Sequence, residues 1–378
     1  MREPSVSRHG AGPALAALLA AALGVCAACG PSIGAPPGTA TPLPSAGGPD
    51  RGQASLGLPS IKGLNYDGPA AASGQWLGTR WLRPGAAAGA GWEAARPRLQ
   101  ADLDFIASHQ LGQLVRVFIG LDQLMEWNAT TGFVRFDPAA MKNLDEALGM
   151  FDAHHLRVLA VVFDQEEVSS PGNFHFDALD GRHPVIRANY LSAIDQFFHL
   201  LGARQTVAGW DLFNEAYNSL GREGGLPRPP AEDPVSPNYQ DDTVHGWIKD
   251  LYRTAKRAAP NAWLTVSDTT DLYWKDPPVT SRYEGAVDFY DIHVYDDHPS
   301  ARNWAHTLHR PYLLGEVGGD IDHGFKNQSV NSQVVAFWLL HARELGIQAV
   351  LAHSTNDSVY SLRSGALTAT GRVIEAAR

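Results

Sequence analysis

Cysteine is almost missing from this chain. Of its 378 residues two are cysteines, Cys26 and Cys29, and none follows them. A disulfide framework, a thiolate-built zinc site and a cysteine nucleophile are therefore excluded from the body of the protein. An excess of basic charge is missing too. Thirty Lys and Arg against 40 Asp and Glu leave a net charge of −10, which excludes a nucleic-acid binder working through a basic stripe. No Gly-x-Gly-x-x-Gly turn and no P-loop follows an early strand of the body. No Gly-x-Ser-x-Gly elbow and no His-Glu-x-x-His pair occurs in the body either, so dinucleotide, nucleoside-triphosphate, serine-hydrolase and zincin readings lack their core motifs. Glycine (37) and proline (25) are plentiful, enough to predict long loops or a linker but not wholesale disorder.

The first 60 residues carry an address rather than a core. Arg2 and Arg8 precede an apolar run over residues 14–25, too short for the roughly 20 residues that span a bilayer as a helix. A charged start, a short apolar stretch and small residues before a cut describe a secretory signal. The closing Cys26-Ala27-Ala28-Cys29-Gly30 resembles a bacterial lipoprotein signal, in which the thiol is acylated and becomes the mature N-terminus. On that resemblance Cys29 is the lipidated residue, with Cys26 standing where a leucine is usual. Residues 1–28 are thus expected to be a signal peptide. Residues 29–57, built from Pro, Gly, Ser, Thr and Ala, are expected to be a flexible tether that cannot bury enough surface to offset its ordering entropy. The protein is expected outside the cytoplasm, anchored to a membrane by lipid or simply secreted.

From residue 58 to 378, short apolar runs alternate with amphipathic helical patterns. Strands are predicted over 61–66, 114–119, 157–163, 207–213, 262–266, 287–293, 311–316 and 348–353. Between them, Leu99, Leu103 and Ile106 form one apolar stripe at helical spacing. Tyr190, Ile194, Phe197, Phe198 and Leu201 form a second, Val244, Ile248, Leu251, Tyr252 and Ala255 a third, and Val334, Phe337, Trp338, Ala342 and Leu345 a fourth. Eight strands, each followed by a helix or a long loop, predict an α/β fold of the (β/α)8 TIM-barrel type. A doubly wound open sheet is the alternative. In such a barrel the chemistry sits at the C-terminal ends of the strands.

Two glutamates stand there. Glu215 closes the fourth predicted strand and Glu316 the seventh, and these strands face each other across a closed ring. Paired carboxylates across a pocket suit cleavage of a glycosidic bond. The leaving oxygen departs poorly until protonated, so one carboxyl must hold a proton near pH 7. The other must be ionised, to attack the anomeric carbon or to activate water. Different surroundings push the two pKa values apart and divide the roles.

The residues around the pair carry a family resemblance. Trp210-Asp211-Leu212-Phe213-Asn214-Glu215 resembles the fourth-strand Asn-Glu motif of the clan A retaining glycoside hydrolases, and Leu313-Leu314-Gly315-Glu316 that clan's seventh-strand nucleophile motif. Tyr290-Asp291-Ile292-His293-Val294-Tyr295 is similar to the sixth-strand His-x-Tyr of glycoside hydrolase family 5, the cellulase and mannanase family. Val115-Arg116-Val117 and Lys62-Gly63-Leu64-Asn65-Tyr66 resemble its second and first strands. The resemblance runs from about Ile61 to His353. It implies that Glu215 is the acid/base and Glu316 the nucleophile. It implies that Asn214 bonds the sugar 2-hydroxyl, that Tyr295 and Arg116 hold Glu316 ionised, and that Asn65 and His293 support or line the subsite. The implied activity is hydrolysis, with retention, of β-linked mannan- or glucan-type glycans. The implied partner is an oligo- or polysaccharide, with no cofactor and no metal.

Two positions depart from the family pattern. The third strand ends in Asp164 where a His-containing motif is usual, and His353 stands on the eighth strand where a tryptophan usually floors the subsite of the cleaved sugar. Loop aromatics are expected to supply other sugar contacts, chiefly Trp127 and Trp274, with Tyr217, Tyr273, Trp304, Trp76, Trp81 and Trp92 as further candidates. Asp164, Glu166, Glu167, His175 and His183 cluster in sequence, but at no compact metal-ligand spacing. Two other readings share these residues: a noncatalytic carbohydrate-binding lipoprotein on the same barrel, and a transglycosidase.

Overall fold

Eight apolar stretches of the chain become one ring of parallel strands in the computed structural model. It describes residues 57–58, 61–66, 68–69, 81–84, 91–128, 130–163, 184–216, 239–269, 283, 285–295, 308–319, 327–354, 359–361 and 365–377. The strands of the ring are β1 (Lys62–Tyr66), β2 (Leu114–Phe118), β5 (Arg157–Val161), β6 (Val207–Asp211), β7 (Leu264–Thr265), β8 (Ser267–Thr269), β9 (Tyr290–Val294), β10 (Tyr312–Val317) and β11 (Val350–Ala352). Their order is β7-β6-β5-β2-β1-β11-β10-β9-β8. The two end members, β7 and β8, are consecutive halves of a single fifth strand interrupted at Val266, so the ladder closes on itself. This is the (β/α)8 barrel that the sequence predicts. A doubly wound sheet would have kept two separate edges.

The strands read as near-continuous apolar runs because both of their faces are covered. Every residue of β2, β6, β9 and β10 is buried. Helices α1 (Trp92–Ser108), α3 (Pro138–Ala153), α4 (Pro184–Leu201), α5 (Tyr239–Ala258) and α6 (Gln328–Leu345) pack outside the ring on the predicted stripes. Leu99, Leu103 and Ile106 of α1, and Tyr190, Ile194, Phe197 and Phe198 of α4, are buried, as are Val334, Trp338 and Ala342 of α6. Local chemistry sets the ends of these helices. Asp137 accepts from Ala139 N at 2.8 Å and Ala140 N at 3.2 Å to cap α3, with Pro138 at its first position. Gly346, at φ 75°, ends α6 in the left-handed region.

The structure departs from the sequence expectations in two places. The fifth strand begins inside the predicted 262–266, at Leu264, but runs on to Thr269 and is split at Val266. The segment after β2 holds a short helix, α2 (Leu121–Leu124), and an unpredicted hairpin of β3 (Met125–Asn128) and β4 (Gly132–Phe136). Its turn signal was in plain sequence. Asn128 Oδ1 accepts from Thr130 N and Thr131 N at 2.8 and 3.3 Å, and Gly132 sits at φ 78°. A second small hairpin, β12 (Tyr360–Ser361) with β13 (Ala366–Leu367), leads into the last helix, α7 (Ala369–Ala376).

Inside the ring the side chains stack in layers, as alternate strand residues must. At the N-terminal end Leu114, Leu159, Ala208, Phe289, Leu313 and Leu351 form an apolar plug, separate from the core under the helices. Two residues further along the strands the interior turns polar: Asn65, Arg116, Asp211, Ser267 and Asp291 are all fully buried. Glu215, His293, Glu316 and His353 lie above them, at the C-terminal mouth.

Candidate active site

Arg116 organises the polar layer. Its Nη2 donates to Asp211 Oδ2 and Asn214 Oδ1, each at 2.7 Å, and to Ser267 Oγ at 3.3 Å. Its Nη1 reaches Asn65 Oδ1 at 3.1 Å and Glu316 Oε1 at 2.5 Å, and Nε lies 3.7 Å from Asp291 Oδ2. One cation therefore faces three carboxylates in a region without solvent. Burial alone would lower the pKa of the guanidinium, but Glu316, Asp211 and Asp291 outweigh it and raise the value above its ordinary level. Asp291 experiences the opposite balance. Burial, opposed by Arg116 and His293, pushes its carboxyl up to about 7.

Glu316 reaches the mouth by a defect in β10. The pairing with β9 slips between Leu314, opposite Ile292, and Glu316, opposite His293. That bulge sits at Gly315, whose missing side chain leaves room for Asp291. Asn65 Nδ2 holds the Gly315 carbonyl at 2.7 Å. Around the Glu316 carboxylate stand four donors: Arg116 Nη1 on Oε1, and Tyr295 OH, His353 Nε2 (3.3 Å) and His293 Nδ1 (3.7 Å) on or near Oε2. Burial would raise its pKa, but His293, His353, Arg116 and the Tyr295 hydroxyl together bring it down to about 2. At neutral pH Glu316 is an anion held in one orientation. The Tyr295 phenol, buried beside that anion, is pushed well above its ordinary value and stays a donor.

Glu215 follows β6 in the left-handed region, at φ 47°. A glutamate does not favour that conformation, and such outliers gather at functional sites. Its amide donates to Ser267 Oγ at 3.2 Å, and Ser267 Oγ in turn donates to Asn214 Oδ1 at 3.2 Å. Its Oε1 is 2.7 Å from His293 Nδ1. Burial would lower the pKa of His293, but Glu316 and Glu215 overcome it and raise the ring to about 9. A carboxylate oxygen of Glu215, one of Glu316 and a ring nitrogen of His293 all lie within 4.8 Å of one another. The Nδ1 atom of that ring is already engaged with the Glu215 carboxylate.

Of the residues singled out from sequence, Glu215, Glu316, Arg116, Asn214, His293, Tyr295, Asn65 and His353 come together in this one network. Trp127 does not join it by any contact among the described residues. It lies on β3, its ring 6.3 Å from Tyr190 and packed near Ile186 and Gly132. Trp81 and Trp92 are buried against each other, 6.1 Å between centroids, as part of the hydrophobic core. Trp274, Tyr217, Tyr273, Trp304, Trp76, Cys29 and the acidic and histidine cluster of 164–183 lie outside the described residues. Three network members were missed: Asp211, Ser267 and Asp291. Asp291 was legible, since it precedes His293 and Tyr295 by two and four residues and so shares their inward face. A cavity of about 490 Å³ opens at the other end of the barrel, between Arg157, Phe198, Arg204 and Trp263, and contains none of the carboxylates.

No family model matches the chain, and no curated protein matches it. Solved structures do. A β-mannanase from the blue mussel Mytilus edulis superposes with a TM-score of 0.59 at 15% identity, over 83% of this chain and 91% of that one. GH5_18 from Streptomyces cattleya, in complex with GlcNAc, gives 0.57 at 16% identity over 85% and 80%. The endo-1,4-β-mannanase from Eisenia fetida gives 0.57 at 15% identity, over 85% of this chain and 92% of its own. At such identities the likeness is one of fold: this chain has the (β/α)8 barrel on which those glycoside hydrolases are built.

Proposed function

We propose that the protein is a retaining glycoside hydrolase acting on β-linked glycans of the mannan or glucan type. The observation that carries this reading is the placement of the two glutamates, with carboxylate oxygens within 4.8 Å across one buried histidine. Retaining enzymes keep their carboxyl groups about 5–5.5 Å apart, and one oxygen of each glutamate within 4.8 Å is compatible with that spacing. Glu316 attacks the anomeric carbon as an anion, and Glu215 delivers a proton to the leaving oxygen. A water then releases the sugar, giving its proton to Glu215. Asn214, its oxygen tied to Arg116 and Ser267, presents its amide end to the sugar 2-hydroxyl.

The charge cage favours an enzyme over a binding-only lipoprotein. Burying Arg116 among three carboxylates costs several kcal/mol per ion before pairing compensates it, and a sugar-binding groove needs no such device. Preorganised charge aimed at a reacting carboxylate is what a covalent mechanism uses. The fold neighbours support mannan as the first substrate to try. The lipoprotein-type N-terminus supports an extracytoplasmic location, with the chain lipidated at Cys29 and membrane-anchored, or else secreted. Incubation with mannan, glucan and xylan, with reducing ends counted and product anomers read by NMR, tests the function. Release of β-anomeric product from mannan or glucan is expected. Binding without cleavage, or α-anomeric first product, overturns it.

A further inference from the structure

We propose that the proton delivered to the leaving oxygen is held jointly by His293 and Glu215, making His293 a positioning residue and proton store for the acid/base instead of a wall of the sugar subsite. This rests on the retaining glycosidase reading and extends it. His293 is fully buried, and its Nδ1 lies 2.7 Å from Glu215 Oε1. A carboxyl and an imidazole at that distance share one hydrogen. Imidazolium with carboxylate and imidazole with carboxylic acid differ only in where that hydrogen sits, so Glu215 can draw on the hydrogen that His293 holds.

The groups facing the ring decide how tightly the unit holds its proton. Glu316 on β10 lies 3.7 Å from Nδ1, and Asp291 lies two residues back on the same face of β9. Against them stands Arg116 from β2, while His353 after β11 meets Glu316 and Tyr295 contributes a neutral ring at 6.5 Å. Asp268 of the adjacent β8 is turned to Tyr283 and does not compete. Although burial opposes it, the anions prevail and His293 rises to about 9. The acid function therefore outlasts the pH at which a solitary glutamate has lost its proton.

The proton count closes over both steps. In the first, the C–O bonding pair goes to the leaving oxygen, which takes the shared hydrogen, while a Glu316 lone pair forms the new bond to the anomeric carbon. In the second, water bonds that carbon, its proton returns to the pair, and Glu316 departs with its electrons.

The test is the pH dependence of kcat/KM for wild type and His293→Asn, which keeps a donor near Nδ1 but does not titrate. With 4-nitrophenyl β-mannoside or mannan, the basic limb is expected near 9 in the wild type and at least about one pH unit lower in the variant. With 2,4-dinitrophenyl β-mannoside, whose leaving group needs no proton, the variant is expected to lose less of its rate than with 4-nitrophenyl β-mannoside, the remaining loss reporting the His293 contact to Glu316. An unmoved basic limb overturns the shared proton. Independently of turnover, the His293 ring resonance is expected to titrate near 9 and to fall by at least about one unit in Glu215→Gln. A resonance that titrates alike in both proteins overturns the proposal as well. Absence of turnover on every glycan would sink the glycosidase reading alone, since the resonance still reports on the pair.

Discussion

Asp291 and Gly315 compete for the same space: a methyl group added at Gly315 would fall 1.9 Å from Asp291 Oδ1. The buried acid and the bulge that carries Glu316 thus depend on one missing side chain. Gly315→Ala must displace Asp291 or flatten the bulge, and either movement shifts the carboxylate that Arg116 and Tyr295 hold. A stability loss of about 1–3 kcal/mol in urea unfolding is expected, with kcat/KM down at least about tenfold. Wild-type kinetics in a folded variant would show that the bulge does not position Glu316.

Asp291→Asn reads the buried acid itself. The folded pKa is about 7 against an ordinary 3.8. Between those values the folded state holds a proton that the unfolded chain has released. The wild type therefore loses stability as pH rises from about 4 to about 7. Asparagine is neutral throughout and escapes that loss. Melting temperatures measured from pH 4 to 8 are expected to move in favour of the variant with rising pH and to level off above 7. Parallel curves for the two proteins would contradict the assignment.

Glu316→Ala is expected to reduce hydrolysis by at least about 10³-fold. Azide should restore turnover of activated aryl glycosides and give a glycosyl azide of inverted configuration, because it occupies the space the carboxylate vacated. Retained activity without azide would remove Glu316 from the nucleophile's role.

His353 stands where the resemblance expects a tryptophan floor, yet its Nε2 is 3.3 Å from Glu316 Oε2 and its side chain is only 4% exposed. Its main effect should fall on the nucleophile rather than on substrate affinity. His353→Ala is expected to lower kcat about tenfold with KM changed less than about threefold. The reverse pattern would make His353 a sugar platform after all.

Cys29→Ser tests the anchor. The wild-type protein expressed in a bacterium with lipoprotein processing is expected in the membrane fraction, and the variant in the soluble extracytoplasmic fraction. Equal partitioning would leave plain secretion as the account of the N-terminus.

Much of the site was legible because a barrel converts sequence order into position. Once strands alternate with helices, a polar residue at a strand's end must stand at the mouth, and Glu215 and Glu316 announce themselves. Strand periodicity would have added Asp291, two residues before His293. Ser267 was harder to see, since it lies on the half-strand β8 that begins only after the interruption at Val266. Trp127 looked like a subsite aromatic because it follows a strand, but the hairpin of β3 and β4 folds it onto Tyr190.

The ring of strands, the stripes that bury its helices and the two acids at its rim are readable in the order of residues alone. These follow from hydrophobic period and element order, which are local. Folding in three dimensions was needed to bring Arg116 to three carboxylates, to share His293 between Glu215 and Glu316, and to set Glu316 in register through the bulge at Gly315. Those relationships join residues from four strands across a dry interior, where one ångström changes which group keeps its charge, and local pattern carries no record of such distances.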